Sequence, residues 1–460
     1  MARGWRTRII ALMLAATSLL VSAGWAAYVQ VGRTPGELID YAKRRLQGHT
    51  RLEAAALPVL DAVIGWLDEP DEIERAQPFS VPPLPPRTVA KAITGPAESS
   101  DPLRVLVGPG RAITSLAQAA SVAPDGAVIE VDPGDYIGDV AVWYQRRLTI
   151  RGMGPGVRLI AAGRSAEGKA IWVIRNGIFL VENIEFTGAR VADRNGAGIR
   201  FESGDLIVRG CKFYDNENGI LTGGGPDMRL VIEASEFAYN GAGDGQSHGV
   251  YIGDMGSFRL TGSHFHHANV GHLVKSRARR NRIEYNRLSD EAGGRASYEL
   301  EFPDGGEVEV IGNVIQQGSG TRNSVIVSFG AEGVRWPVNR LTMAHNTLIN
   351  DRRYGGTFVR VWSGAQAVVM RNNLLIGPGR LNLPSFADVA GDRHADWSAF
   401  VQASREDYRL TAAARAEMAL GSVASLPENL RPAFEYKHPL RLSPLPAGPL
   451  APGALQSGVP

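Results

Sequence analysis

The chain has a single cysteine, Cys211, among 460 residues. One thiol can form neither an intrachain disulfide nor a cysteine-based zinc site. A large exported domain does not need disulfides, so the compartment stays open. Lysine is scarce as well: only six of the 49 basic residues are lysine, leaving 43 arginines. A lysine in a special position is therefore informative. No run of five or more basic residues occurs, and 49 basic against 47 acidic residues leave a net charge of +2. That balance argues against a nucleic-acid partner.

Glycine is what the chain has in excess, with 54 residues, about 12 % against a usual ~7 %. The glycines follow no collagen period, and 44 % of the residues are hydrophobic. Collagen and wholesale disorder are excluded. The excess asks for an architecture with many turns.

Arg3, Arg6 and Arg8 precede an uncharged, mostly apolar stretch from Ile9 to Gly32. A basic start followed by a hydrophobic segment reads as a signal peptide, with Val21-Ser22-Ala23 as a small-residue cleavage site. It reads equally as an uncleaved membrane anchor, with Trp25 and Tyr28 at the interface. Either way the remainder is exported, to the periplasm as an inner-membrane-anchored or free protein, or beyond the cell. Residues 33–77 carry helical spacing (Leu38, Ala42, Leu46; Leu57, Leu60, Val63, Ile64), interrupted at Pro58. Residues 78–103 form a proline-rich linker around Pro82-Pro83-Leu84-Pro85-Pro86, a stiff spacer.

The main domain repeats one pattern: an alternating apolar stretch, a small or amide residue, a spacer, then an apolar residue. Val208-Arg209-Gly210-Cys211-Lys212-Phe213 and Val310-Ile311-Gly312-Asn313-Val314-Ile315 are examples. The turn positions are 183, 211, 235, 263, 286, 313, 346 and 373, with spacings of 28, 24, 28, 23, 27, 33 and 27. A period in the twenties with short strands predicts a β-solenoid. The small and amide residues predict a ladder of hydrogen bonds between coils, with Cys211 as a structural member.

The pattern resembles the right-handed parallel β-helix of the pectate-lyase-like superfamily. Arg111 to Ser121 is similar to its short N-terminal capping helix, and Ile129-Glu130-Val131-Asp132-Pro133-Gly134-Asp135-Tyr136 to its first coil. The expected fold class is therefore all-β, a right-handed parallel β-helix over 104–380. A C-terminal cap and tail follow over 381–460, with a helix near Ala412–Leu420 and Asp407-Tyr408-Arg409-Leu410 as a closing strand.

In such a helix, residues one coil apart are neighbours. His248 and His272 are 24 apart, as are Tyr251 and Lys275, and one further step reaches Glu299. Alternation places Val250, Val274, Tyr298 and Leu300 inside, with Tyr251, Lys275, Glu299 and Glu301 outside. Tyr251, Lys275 and Glu299 would then share one face. Gln246, Arg277 and Asp304 lie nearby in sequence. Five histidines fall within 25 residues, His248, His264, His266, His267 and His272. His266 and His267 are adjacent and point apart on a strand, which argues against a metal site there.

Val274-Lys275-Ser276, followed by Asn281 and Asn286, is similar to the Lys-Ser stretch of the chondroitinase B and alginate lyase family. The resemblance implies Lys275 as the base. Two features of that family are absent: Glu301-Phe302-Pro303 stands where it has Arg-His-Gly, and Gly271 and His272 replace its acidic calcium ligands. A calcium cofactor therefore has no ligand motif here.

The expected partner is an acidic, uronate-containing polysaccharide, handled by β-elimination or C5-epimerisation. Both abstract a proton beside a carboxylate that must be neutralised, and Lys, Tyr, His and Arg suit these roles. Lys275 is assigned as base and Tyr251 as acid, with Arg277 and His272 neutralising the carboxylate. His248, Gln246 and Asp304 complete the substrate-binding set. Glu299 and Glu301 orient the substrate or, as paired carboxylates, serve glycoside hydrolysis. A non-catalytic glycan-binding module of envelope assembly is the alternative, and a purely structural passenger is the third reading.

Overall fold

The computed structural model describes residues 79–83 and 101–457, apart from positions 322, 354, 420–425 and 447–448. The expected anchor (1–32), the helical segment (33–77) and most of the linker lie outside the described residues. Among the described residues no helix is long and apolar enough to cross a membrane.

Three parallel sheets of twelve, ten and eleven strands wrap one elongated core in about ten coils. The first runs from Arg104–Val107 to Asp388–Ala390, the second from Ala141–Trp143 to Arg380–Asn382, and the third from Gly134–Ile137 to Arg393–Ala395. Each strand pairs with its equivalents in the coils before and after it, as when Val208 pairs with Val181 on one side and Ile232 on the other. This is the expected all-β parallel β-helix. Its last coil runs past residue 380 to Ala395, because the ladder and the strand pairing continue there.

Strand alternation supplies the core. Along Arg147–Gly152, Leu148, Ile150 and Gly152 are buried and the residues between them are not. Stacking then aligns like with like. Phe186, Phe213, Phe237 and Phe265 form a buried column with ring centroids 5.1, 4.6 and 4.3 Å apart. Burying one such ring stabilises the fold by about 2–3 kcal/mol. No single coil can bury both sides of its ring, so the stability belongs to the stack.

The ladder runs through the interior corner after the first sheet. Cys211 N–H donates to Ser235 Oγ (3.2 Å), Ser235 N–H to Ser263 Oγ (3.1 Å) and Ser263 N–H to Asn286 Oδ1 (2.9 Å). From Asn286 onward the amides are doubly used. The backbone N–H and Nδ2 of Asn286 both donate to Asn313 Oδ1 (2.9 and 2.9 Å), and the pattern repeats through Asn346 and Asn373 to Asp392. The first rung differs from the expectation. Lys212 pairs with Glu185, so Cys211 stands opposite Ile184, and Asn183 is one residue too early. Asn183 shares instead the left-handed corner of Gly210, Gly262 and Gly312, all with positive φ. Its Nδ2 caps the carbonyls of Gly152 and Gly154.

A short helix, Leu116–Val122, buries Leu116 and Ala119 and is capped by the Ser115 hydroxyl, which accepts from Gln118 N (3.1 Å). At the other end, Asp407–Leu410 pairs antiparallel with Phe400–Gln402 and leads into the helix Ala412–Ala419. The hairpin Phe434–Lys437 and Arg441–Pro444 follows. The tail folds back along the stack: Tyr285 Oη accepts from Ala433 N (3.0 Å) and Thr347 Oγ1 from Ala454 N (2.9 Å). The described piece of the linker, residues 79–83, also lies against the third sheet, where Tyr214 Oη donates to the Pro82 carbonyl (2.9 Å).

Candidate functional site

On the ten-stranded sheet, Tyr251 pairs with Lys275, Lys275 with Glu301, Glu301 with Ser328 and Ser328 with Arg360. Tyr251 and Lys275 thus share the outward face, as the 24-residue step implies. Glu299 does not join them. The connection from Lys275 to its partner contains two residues more than the previous coil, so the register lands on Glu301. Glu299 falls just before the strand and is fully buried. Its Oε2 accepts from Gln317 Nε2 (3.2 Å). Burial, with Asp290 nearby, holds its carboxyl well above the usual range. Tyr298, expected inside, is half-buried with its ring 4.9 Å from that of His272. Glu299 therefore cannot pair with Glu301 at a glycosidic bond.

Around Lys275 the structure collects charges from three coils. Lys275 Nζ lies 3.2 Å from Glu301 Oε2 and 3.0 Å from Glu332 Oε1. Arg277 makes four connections. Its Nε donates to Tyr251 Oη (2.9 Å), its Nη1 to Asp304 Oδ1 (2.5 Å) and its Nη2 to Glu332 Oε2 (2.7 Å). Its carbonyl accepts from Trp336 Nε1 (3.0 Å). The guanidinium fork is thus fixed from several directions. Asp304 is fully buried, with Arg335 Nε 3.5 Å from its other oxygen.

Burial opposes charge on Glu301, but His272 and Lys275 outweigh it and hold the carboxyl down at about 2. Glu332 is lowered in the same way: its desolvation is outweighed by Arg277 and Lys275. Asp304 moves in the other direction, because desolvation there exceeds the help from Arg277 and Arg335. Burial also works against the Arg277 cation, yet Glu332 and Tyr251 raise it above its ordinary value.

His248 and His272 sit behind this face, 4 % and 6 % exposed. His272 N–H donates to His248 Nδ1 (3.0 Å), and the His248 ring stacks on Tyr251 at 5.6 Å. His272 Nδ1 lies 3.0 Å from Glu301 Oε2. The two histidines therefore brace Tyr251 and Glu301 from within, and His272 is turned towards a protein carboxylate. Gln246 stands on an exposed loop before this strand, its N–H bonded to Asp244.

A cleft of about 400 Å³ opens beside these groups, walled by Tyr251, Asp254, Arg277, Glu332 and Arg335. Gly223, Gly224 and Gly253 line it as well. A Cβ at Gly253 would stand 2.2 Å from the Gly223 carbonyl oxygen, so the surface there is bare backbone. Glu332, Arg335 and Trp336 are not apparent from alignment of coils, because they occupy the insertion between Val325–Phe329 and Arg340–Ala344. The signal was present: the interval from Asn313 to Asn346, 33 residues, is the longest in the repeat. Among the described residues, one trio has metal-capable atoms close together, His266, His267 and Glu291, and it belongs to a different sheet.

No family model matches the chain. No curated protein matches it by sequence. Solved structures similar to it include that of pectate lyase Pel9A, at 15 % identity and a TM-score of 0.48, over 75 % of this chain and 91 % of that one. An alginate lyase from Paenibacillus sp. str. FPU-7 aligns at 16 % identity and a TM-score of 0.42, over 63 % of this chain and 98 % of that one. The coil architecture described above stands on the strand pairing itself.

Proposed function

We propose that this chain acts on an acidic, uronate-containing polysaccharide in the cleft beside Tyr251 and Arg277, by lyase or C5-epimerase chemistry. The observation that carries the reading is Glu332. Its side chain is 44 % exposed, and its carboxylate bridges Lys275 Nζ and Arg277 Nη2 at 3.0 and 2.7 Å. A pair of cations spanned by a protein carboxylate is preshaped for a substrate carboxylate of the same geometry.

In this reading a uronate displaces Glu332 and is neutralised by Lys275 and Arg277, which acidifies the neighbouring C–H. Lys275, flanked by two carboxylates, serves as a carboxylate partner, and the base role assigned to it on sequence passes to another group. Tyr251 is that group, since it lines the cleft and its oxygen accepts from Arg277, which fixes its position beside the two cations. A base removes the C5 proton. In elimination the electron pair forms the C4–C5 double bond, the C4–O bond breaks and the leaving oxygen takes the proton that Tyr251 has removed. In epimerisation Tyr251 keeps that proton and C5 takes one from solvent on the opposite face.

The test is incubation of the full chain with uronate polymers. An ultraviolet-absorbing unsaturated product identifies elimination, and inversion at C5 seen by NMR identifies epimerisation. Tyr251→Phe should lower turnover by roughly 10²–10⁴-fold, while Lys275→Ala should mainly raise KM. Retention of an acidic glycan without any product would sink the catalytic part and leave a binding module. Neither retention nor product would sink the whole reading. We further place the protein in the cell envelope, on the basic and then uncharged pattern of residues 1–32; recovery in the cytosolic fraction would overturn that placement.

A further inference from the structure

A second polar cluster lies on the third sheet, away from the cleft. It is built from two successive coils. His264–His266 is one strand and Arg287–Ser289 the next, with His264 paired to Arg287. Adjacent strand residues ordinarily point apart, but His267 is past the strand, at a corner with φ of 50°. Gly188, Asp215 and Tyr239 hold the same corner in earlier coils, all with positive φ. The left-handed turn brings the His267 ring back beside that of His266. Their Nδ1 atoms stand 2.7 Å apart. The parity argument against a metal site at these two residues therefore does not hold.

The outer nitrogens fix the tautomers. His267 Nε2 is 3.1 Å from the Ala292 carbonyl, which can only accept. His266 Nε2 is 3.3 Å from Glu236 Oε1, a carboxylate that also pairs with Lys212. Both Nε2 atoms therefore donate. In neutral imidazoles the two Nδ1 atoms then carry lone pairs aimed at each other, an unfavourable contact unless a cation lies between them. Glu291 adds the third group. Its Oε1 accepts from His264 Nε2 (2.9 Å), and its Oε2 lies 3.7 Å from His267 Nδ1. All three metal-capable atoms lie within 4.8 Å of one another.

We propose that His266 Nδ1, His267 Nδ1 and Glu291 Oε2 form a binding site for a divalent transition-metal ion, with zinc as the fitting probe. Two imidazoles and a carboxylate suit zinc with a fourth position left for water. Each ligand already has an outer partner that orients it: Glu236 for His266, the Ala292 carbonyl for His267 and His264 for Glu291. A tetrahedral ion with Zn–N bonds of roughly 2.0–2.1 Å needs the two nitrogens about 3.3 Å apart, so the rings open by about 0.6 Å from their 2.7 Å separation. The side chains are 12 %, 19 % and 19 % exposed, so an ion has access from solvent. Bound there, it would tie the coil bearing His266 and His267 to the coil bearing Glu291.

The experiment is calorimetric titration of Zn²⁺ into the chelator-treated full chain, with metal content measured after dialysis. The expected result is one ion per chain at micromolar or tighter affinity. His267→Ala should reduce affinity at least a hundredfold, and Glu236→Gln, which among the three ligands meets only His266 and only at its outer nitrogen, by roughly 10–100-fold. Should His267→Ala fail to fold, zinc-soaked crystals of the unaltered chain decide the matter by anomalous scattering, with a peak expected between the two rings. Absence of stoichiometric binding, which leaves a shared proton as the occupant, would overturn the proposal. So would a peak elsewhere, or affinity unchanged in both variants.

Discussion

Arg277 Nε donates to the phenol oxygen of Tyr251 across 2.9 Å, although the two residues are 26 positions apart in the chain. The same guanidinium reaches Asp304 in the next coil and Glu332 in an insertion beyond it. One side chain therefore ties the proposed proton-transfer group to both the buried and the exposed carboxylates of the cleft.

Arg277→Met should destabilise the fold by about 3 kcal/mol, since Asp304 would lose its main partner in a fully buried position. Adding Asp304→Asn should recover part of that loss. Denaturant midpoints of the single and double variants check this; a double variant less stable than the single would contradict the pairing.

Glu332→Gln should raise affinity for an acidic glycan several-fold, because the competing carboxylate is gone while Lys275 and Arg277 remain. Calorimetry at two salt concentrations measures it, with weaker binding at high salt in both proteins. Unchanged or lower affinity would show that Glu332 does not stand in for substrate.

The ladder predicts a contrast between two substitutions. Asn313→Ala leaves the buried Asn286 N–H and Nδ2 without their acceptor, at a cost of about 2–4 kcal/mol. Cys211→Ser should change stability by less than about 1 kcal/mol, because Ser235 and Ser263 already hold equivalent rungs with their hydroxyls bonded to local carbonyls. Thermal unfolding of the two variants should rank them in that order.

Glu301 titrates at about 2 in the folded chain, below its ordinary value of 4.5. The unfolded chain binds more protons in between, so this contribution to stability is present above about pH 4.5 and is lost as pH falls towards 2. The stability difference between the unaltered protein and Glu301→Gln should therefore shrink over that window. A difference that stays constant from pH 6 to pH 3 would contradict the assigned interactions with His272 and Lys275.

Strand alternation and a period in the twenties were enough to read the solenoid and its ladder, because both follow from local chain geometry. The same logic placed Tyr251 beside Lys275, where the intervening coil has no insertion. It failed at Glu299, where two added residues moved the register, and at Asn183, where one residue separates a left-handed corner from the rung. It also set His266 and His267 apart, because period-two reasoning does not extend through a residue with positive φ.

The amino-acid sequence by itself determined the coil, its apolar interior and the approximate stripe of polar residues, since these depend on side-chain periodicity alone. Only the tertiary structure decided which charges meet. Glu332 reaches Lys275 across 57 positions, and Glu291 comes to His267 from the following coil. Those contacts depend on insertion lengths and corner geometry, and these set the angle and height of each side chain after the coils have stacked.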